Sequence, residues 1–191
     1  MAQQSCVATC TTVELPVGGR VVVASDLFLG TAPTPASISA SRELSRTIAA
    51  ITGPGAVVIA GNLFELTEGE CVLPEKALAA HVELREALAT FATDECRRVI
   101  LLPGTRDRAI CYDADTMASI TCCGFEVALA AELAVRTASG VRLVRVEPGW
   151  AYDARCAYAD PTDPHDTPLG HHAVADLFPA LTSTKSGWLE G

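Results

Sequence analysis

Arg20-Val21-Val22-Val23-Ala24-Ser25-Asp26-Leu27-Phe28-Leu29-Gly30 opens on β-branched and small apolar residues and then turns polar. The apolar part is too short for a helix and lacks polar alternation, which marks a strand buried on both faces. That strand delivers the Asp26 carboxylate to a loop that closes on a glycine. Two further stretches repeat the plan. Ala56-Val57-Val58-Ile59-Ala60 runs into Gly61-Asn62-Leu63-Phe64-Glu65-Leu66, and Arg97-Arg98-Val99-Ile100-Leu101-Leu102 runs into Pro103-Gly104-Thr105-Arg106-Asp107-Arg108. In open α/β sheets, ligands sit at the carboxyl ends of such strands, so the three polar ends point to one shared pocket.

The segments between these strands have helical spacing. Thr31 to Pro35 reads as a loop. Ser39 to Ile51 then places Leu44, Ile48 and Ile51 on one face, with serines as cap candidates and Gly53-Pro54-Gly55 as the stop. From Pro74, which suits a first helical turn, one long helix is predicted with Ala77, His81, Leu84, Leu88 and Phe91 as its apolar stripe. On that stripe His81 reads as a satisfied core histidine. Residues 114–123 read as a short helix. Residues 125–129, 133–137 and 141–146 read as strands, the last alternating apolar and basic as a half-exposed strand does. Asp160 to Pro168 is a loop, and Leu169 to Leu181 a final helix. Residues 1–19 read as a lead-in or edge strand and 20–191 as a single α/β domain feeding a mixed sheet.

Composition narrows the function classes. At 191 residues, with 49% apolar and 19% charged side chains, the chain suits one domain with a substantial core. A net charge of -9 argues against a nucleic-acid surface, which needs a basic face. No apolar run approaches the length of a membrane span. The N-terminus lacks the basic-then-apolar pattern of a secretory leader, so the expected location is the cytoplasm. The eight cysteines contain no C-x-x-C pair and read as small buried hydrophobes.

The ordered strand ends resemble the calcineurin-like metallophosphoesterases, in particular the branch that includes UDP-2,3-diacylglucosamine pyrophosphohydrolase. That branch reads S-D-x-H-L-G, then G-D-L-F-E, G-N-R-D, H-G-[HDN] and G-H-x-H. Ser25-Asp26 with Leu29-Gly30, Gly61 with Leu63-Phe64-Glu65, and Gly104 with Arg106-Asp107 keep that frame. The later end Glu147-Pro148-Gly149-Trp150 matches by position alone. The resemblance spans roughly residues 20 to 180. It implies a four-layer α/β/β/α sandwich with mixed sheets and a two-metal hydrolytic centre. The final motif is missing before Gly191, so a sandwich truncated at its C-terminus is expected.

The departures fall on the metal positions. Phe28 replaces the family's first histidine, Asn62 the aspartate that bridges two metals, Thr105 an asparagine, and Pro148 a later histidine, with Trp150 at that histidine's neighbour. Only Asp26 keeps its type among the ligand positions. Arg106, which the resemblance implies contacts substrate phosphate, is also kept. Two divalent ions about 4 Å apart repel by roughly 16 kcal/mol at an effective dielectric of about 20. Offsetting that takes carboxylates and imidazoles which this chain lacks.

The resulting expectation is a domain that has lost hydrolase activity and binds either a phosphorylated small molecule through Arg106 or a protein. The alternative is an active metal-dependent phosphoesterase or nucleotide-sugar pyrophosphatase with a reduced site. A third reading is a decaying copy with no selected role. Asp26 and Asn62 are vestigial metal positions that hold at most one weakly bound divalent ion, and no other cofactor is expected. Arg106 has a second reading as the salt-bridge partner of Asp107 or a neighbouring carboxylate. Asp107 is expected to orient Arg106 or its loop, and Arg108 to lie on the surface. Phe28 and Trp150 are expected to fill the space of the lost metals and imidazoles. His165, Asp166, His171 and His172 read as capping or packing residues. An unfinished second sheet would expose an edge that invites a homo-oligomer or a partner strand.

Overall fold

Val57, Ile59, Val99 and Leu101 bury themselves on one side of a sheet, and Ala56, Val58, Ile100 and Leu102 on the other. With both faces covered, these strands have no use for polar alternation. They belong to a computed structural model that describes residues 7–66, 73–173 and 177. The sheet is parallel, with order β2-β3-β4-β5. Its strands are β2 (Arg20–Ala24), β3 (Gly55–Ala60), β4 (Arg97–Leu102) and the short β5 (Glu126–Val127). A second, mixed sheet has order β1-β6-β7, in which β1 (Thr11–Leu15) runs parallel to β6 (Ala131–Thr137) and β6 antiparallel to β7 (Gly140–Val146).

The first face of the parallel sheet packs on helices. Leu44 and Ile48 come from α1 (Pro35–Ala49), Leu84, Leu88 and Phe91 from α3 (Val82–Ala92), and Ile120 from α4 (Ala114–Cys122). Ala77 and Leu78 come from α2 (Pro74–Ala80). The second face packs on the mixed sheet through Val13, Leu15, Ala131, Leu133 and Val146. Each large aliphatic buried this way contributes about 1.5–3 kcal/mol. Among the described residues the layers are therefore helix, sheet, sheet. No helix of the described residues is long and apolar enough to cross a membrane.

Several elements differ from the sequence expectation. β2 was expected to be buried on both faces, yet it lies at the edge of its sheet, none of its residues is buried, and Val23 is 51% exposed. α1 begins at Pro35, not Ser39, because Thr34 caps it. Thr34 Oγ1 accepts the Ser37 N–H at 3.1 Å and Ser37 Oγ accepts the Thr34 N–H at 3.0 Å, a reciprocal box that Pro35 favours from the first helical position. The long helix from Pro74 is broken at His81, whose φ of -115° and ψ of 63° leave the helical region. The apolar spacing continues across the break, so periodicity conceals it. β7 was expected to be half-exposed, yet only Val146 is buried and Leu143 is 81% exposed. It lies at the margin of its sheet, where only its last residue reaches the core shared with β3 and β4. The N-terminal stretch has more pattern than it shows in sequence, since Thr11–Leu15 alternates buried and exposed as an edge strand. The predicted final helix is described from Leu169 to His172 as α5; residues 174–176 and 178–181 of it lie outside the described residues.

Candidate functional site

The loops after β2, β3 and β4 are knitted together by backbone hydrogen bonds. The Asp26, Phe28 and Leu29 N–H groups donate to the Gly61, Asn62 and Leu63 carbonyls at 3.1, 3.0 and 2.8 Å. The Leu66 N–H donates to the Arg106 carbonyl at 3.2 Å, which joins the third loop. This lacing holds three non-glycine residues at positive φ: Asp26 at 59°, Phe28 at 50° and Asn62 at 54°. Asn tolerates that region, but a bulky residue such as Phe is a genuine outlier there. The left-handed conformation costs about 1–2 kcal/mol per residue and persists only where neighbours impose it. Gly104 makes the packing possible, since a Cβ on it would lie 2.3 Å from Asn62 Oδ1.

Asn62 is the hub of the side-chain network. Its Nδ2 donates to Asp26 Oδ1 at 2.8 Å. Its Oδ1 accepts from the Arg106 N–H at 3.0 Å and from Thr105 Oγ1 at 3.4 Å, which fixes the orientation of the amide. Ser25 Oγ donates to the other Asp26 oxygen at 3.0 Å. Both Asp26 oxygens therefore receive hydrogen bonds from neutral donors.

Asp107 is fully buried and accepts the Gly104 N–H at 2.6 Å and the Phe64 N–H at 3.2 Å. Burial pushes its carboxyl up to about 6, against the pull of the backbone N–H groups around it. It thus orients the two loops and not Arg106. Arg106 pairs instead with Glu65 at 2.8 Å and extends over the Phe28 ring, 5.9 Å from its centroid.

Arg108 was expected on the surface, and the structure corrects this: it is 4% exposed. Its Nε and Nη1 donate to the Pro161 and Asp166 carbonyls at 3.1 and 2.6 Å, and its Nη2 to the Asp163 carbonyl. Its guanidinium lies 4.1 Å from the Tyr158 ring centroid. These partners are 53 to 58 residues further along, so no local pattern announces the contact.

A cavity of about 470 Å³ opens where these loops meet the segment after β7. Asp26, Asn62 and Thr105 line one side, and Pro148 and Trp150 the other. Its charged lining consists of Asp26, Glu147 and Asp153. Glu147 is held below the usual carboxylate range by the Tyr152 hydroxyl and then by Arg145. Trp150 forms a wall, with its Nε1 donating to the Pro103 carbonyl at 3.0 Å and its ring edge-on to Tyr158 at 5.2 Å. Phe28 does not fill the space as expected; it is 41% exposed and stands outside the lining, as does Arg106.

Among the described residues, no group of three or more His, Cys, Asp or Glu side chains is placed to hold a metal. Asp26, Asn62 and Thr105 by themselves supply one carboxylate, one amide and one hydroxyl, fewer anionic ligands than a pair of divalent ions needs to offset its mutual repulsion. Among the described residues the C-terminal histidines form no metal-binding group: the His165 N–H donates to Asp163, His172 Nε2 meets Thr167 Oγ1 at 3.1 Å, and the Asp166 carboxylate accepts the Asp160 N–H. Fold and site together define an α/β domain whose strand-end loops converge on an acidic cavity. Comparisons with protein-family models, curated proteins and solved structures returned no match.

Proposed function

We propose that the chain is a calcineurin-type metallophosphoesterase-like domain, built on the four-layer sandwich plan, that has lost hydrolysis and acts by binding. The observation that carries this reading is the 2.8 Å hydrogen bond from Asn62 Nδ2 to Asp26 Oδ1. A bridging carboxylate at position 62 would confront Asp26 with a second negative charge and call for cations between them. The amide supplies a proton donor in that place and removes the need. The positive φ values at Asp26, Phe28 and Asn62 support descent from a catalytic centre, because such strain clusters at active sites.

A protein partner fits this reading better than a phosphorylated small molecule. Glu65 already engages Arg106, and the cavity lining is acidic. The exposed Val141, Leu143 and Val144 on the marginal strand β7 add a surface that a partner chain would cover. The alternative, an active phosphoesterase or pyrophosphatase, draws on the size of the remaining cavity.

One experiment separates the two. The purified chain is assayed for metal content and for manganese-supplemented hydrolysis of bis-p-nitrophenyl phosphate, beside the triple variant Phe28→His, Asn62→Asp, Thr105→Asn. The expected parent has no stoichiometric metal and no turnover. Two equivalents of manganese or zinc, or robust turnover by the parent, would reverse the conclusion.

A further inference from the structure

β7 ends the sheet order β1-β6-β7, and among the described residues no strand follows it. Ala138-Ser139 form the two-residue turn of the β6–β7 hairpin, so Thr137 and Gly140 are its closing hydrogen-bonded pair. Bonded and non-bonded pairs alternate along an antiparallel ladder. Arg142, Val144 and Val146 therefore bond to β6. Val141, Leu143 and Arg145 turn their N–H and C=O groups the other way, off the edge of the sheet. Natural edges are blunted by prolines, bulges or charge. β7 has no proline, and its pairing with β6 runs one-to-one from Gly140 to Val146 without a bulge.

The side chains favour company of their own kind. Val141, Leu143 and Val144 are 53%, 81% and 46% exposed. A foreign acidic strand would find Arg145 already engaged, by Glu132 at 2.7 Å and Glu147 at 2.6 Å. The other edges lack this apolar row: β1 presents Thr12 and Glu14, β2 exposes one large apolar residue, Val23, which lines the cavity, and β5 has only 2 residues. An antiparallel copy of β7 must set outward-bonding residues against outward-bonding residues. Centred on Leu143, the two-fold register pairs Leu143 with itself, Val141 with Arg145 and Arg142 with Val144. All 7 residues of the strand then have a partner, and the most exposed apolar side chain sits on the axis. A register centred on Arg142 sets two guanidinium groups face to face, which is destabilising. One centred on Val144 leaves Gly140 and Val141 outside the paired strand.

We propose that the chain pairs with a second copy of itself through β7, antiparallel about a two-fold axis at Leu143, so that two three-stranded sheets become one. The outward N–H and C=O groups of Val141, Leu143 and Arg145 satisfy those of the other copy. Val141 and Leu143 share a face of the strand, so the four side chains of the pair close into one apolar patch. This rests on the protein-partner reading given above for the claim that β7 is a binding edge, and on nothing at the metal positions.

The full chain is followed by sedimentation velocity and light scattering up to about 0.2 mM, beside Leu143→Lys and Leu143→Pro. The lysine sets two like charges opposite each other on the axis. The proline removes an edge N–H and spares the ladder to β6. The expected parent is a dimer, and each variant keeps the parent's circular dichroism while raising Kd at least about tenfold. Leu143→Cys reads the register. Hydrogen-bonded partners lie about 5.5 Å apart at Cα, within disulfide reach, so air oxidation should join position 143 to position 143 in a non-reducing peptide map. Val141→Cys, placed opposite Arg145, should give no such link to itself. A parent that stays monomeric, whether or not it captures another protein, would overturn the pairing. So would a Kd indifferent to both variants, or self-linking as strong at 141 as at 143. If neither Leu143 variant folds, the parent's oligomeric state and the crosslink map decide. A monomeric parent without turnover ends the pairing and leaves the loss of hydrolysis standing, whereas a dimer with turnover does the reverse.

Discussion

Asn62→Asp puts a carboxylate oxygen where an amide N–H now points at Asp26 across 2.8 Å. Two unit charges about 4 Å apart repel by about 4 kcal/mol at an effective dielectric of about 20. Asp26 is exposed and Asn62 partly so, which cuts the net penalty to about 1–2 kcal/mol after solvent screening. For a chain of this length that lowers Tm by roughly 2–8 °C. The penalty is present at neutral pH and shrinks on acidification, when one of the two carboxyls takes a proton. It also shrinks in millimolar manganese, because a cation between the pair restores the balance that the amide now provides. Thermal melts from pH 8 to 4.5, with EDTA or manganese, read all three effects. The parent should respond little to manganese. A variant as stable as the parent at pH 7, with no gain from acid or metal, would refute the role assigned to the Asn62 amide.

Asp107→Ala strips the acceptor from the buried Gly104 and Phe64 N–H groups, each worth about 1–3 kcal/mol when left unpaired, and should lower the urea midpoint sharply. Arg108→Ala releases the carbonyls of Pro161, Asp163 and Asp166, so limited proteolysis should cut faster between residues 158 and 168 than in the parent.

The parallel sheet was legible because the apolar runs in β3 and β4 are covered on both faces and carry no competing pattern. The strand-end residues were legible as a set for the same reason: each follows directly from its strand. What escaped is what depends on distant or lateral contacts. The break at His81 is invisible to periodicity, since Ala77, Leu84 and Leu88 stay on one face across it. The exposure of β7 depends on its place at the edge of the sheet, which its own alternation cannot reveal. The α1 start hid because Thr34 and Pro35 also satisfy the pattern of a loop. Phe28 was expected to fill the cavity, yet it sits at positive φ and its ring stands outside the lining.

The burial of Arg108 has a consequence for the order of assembly during synthesis. Its guanidinium leaves the ribosome more than fifty residues ahead of the carbonyls that receive it. Until those carbonyls arrive, sinking a lone cation would cost several kcal/mol, so the side chain must wait in water. The stretch from Tyr158 to Asp166 therefore closes over a scaffold that is already formed, and it is the natural first piece to peel away when the chain begins to unfold.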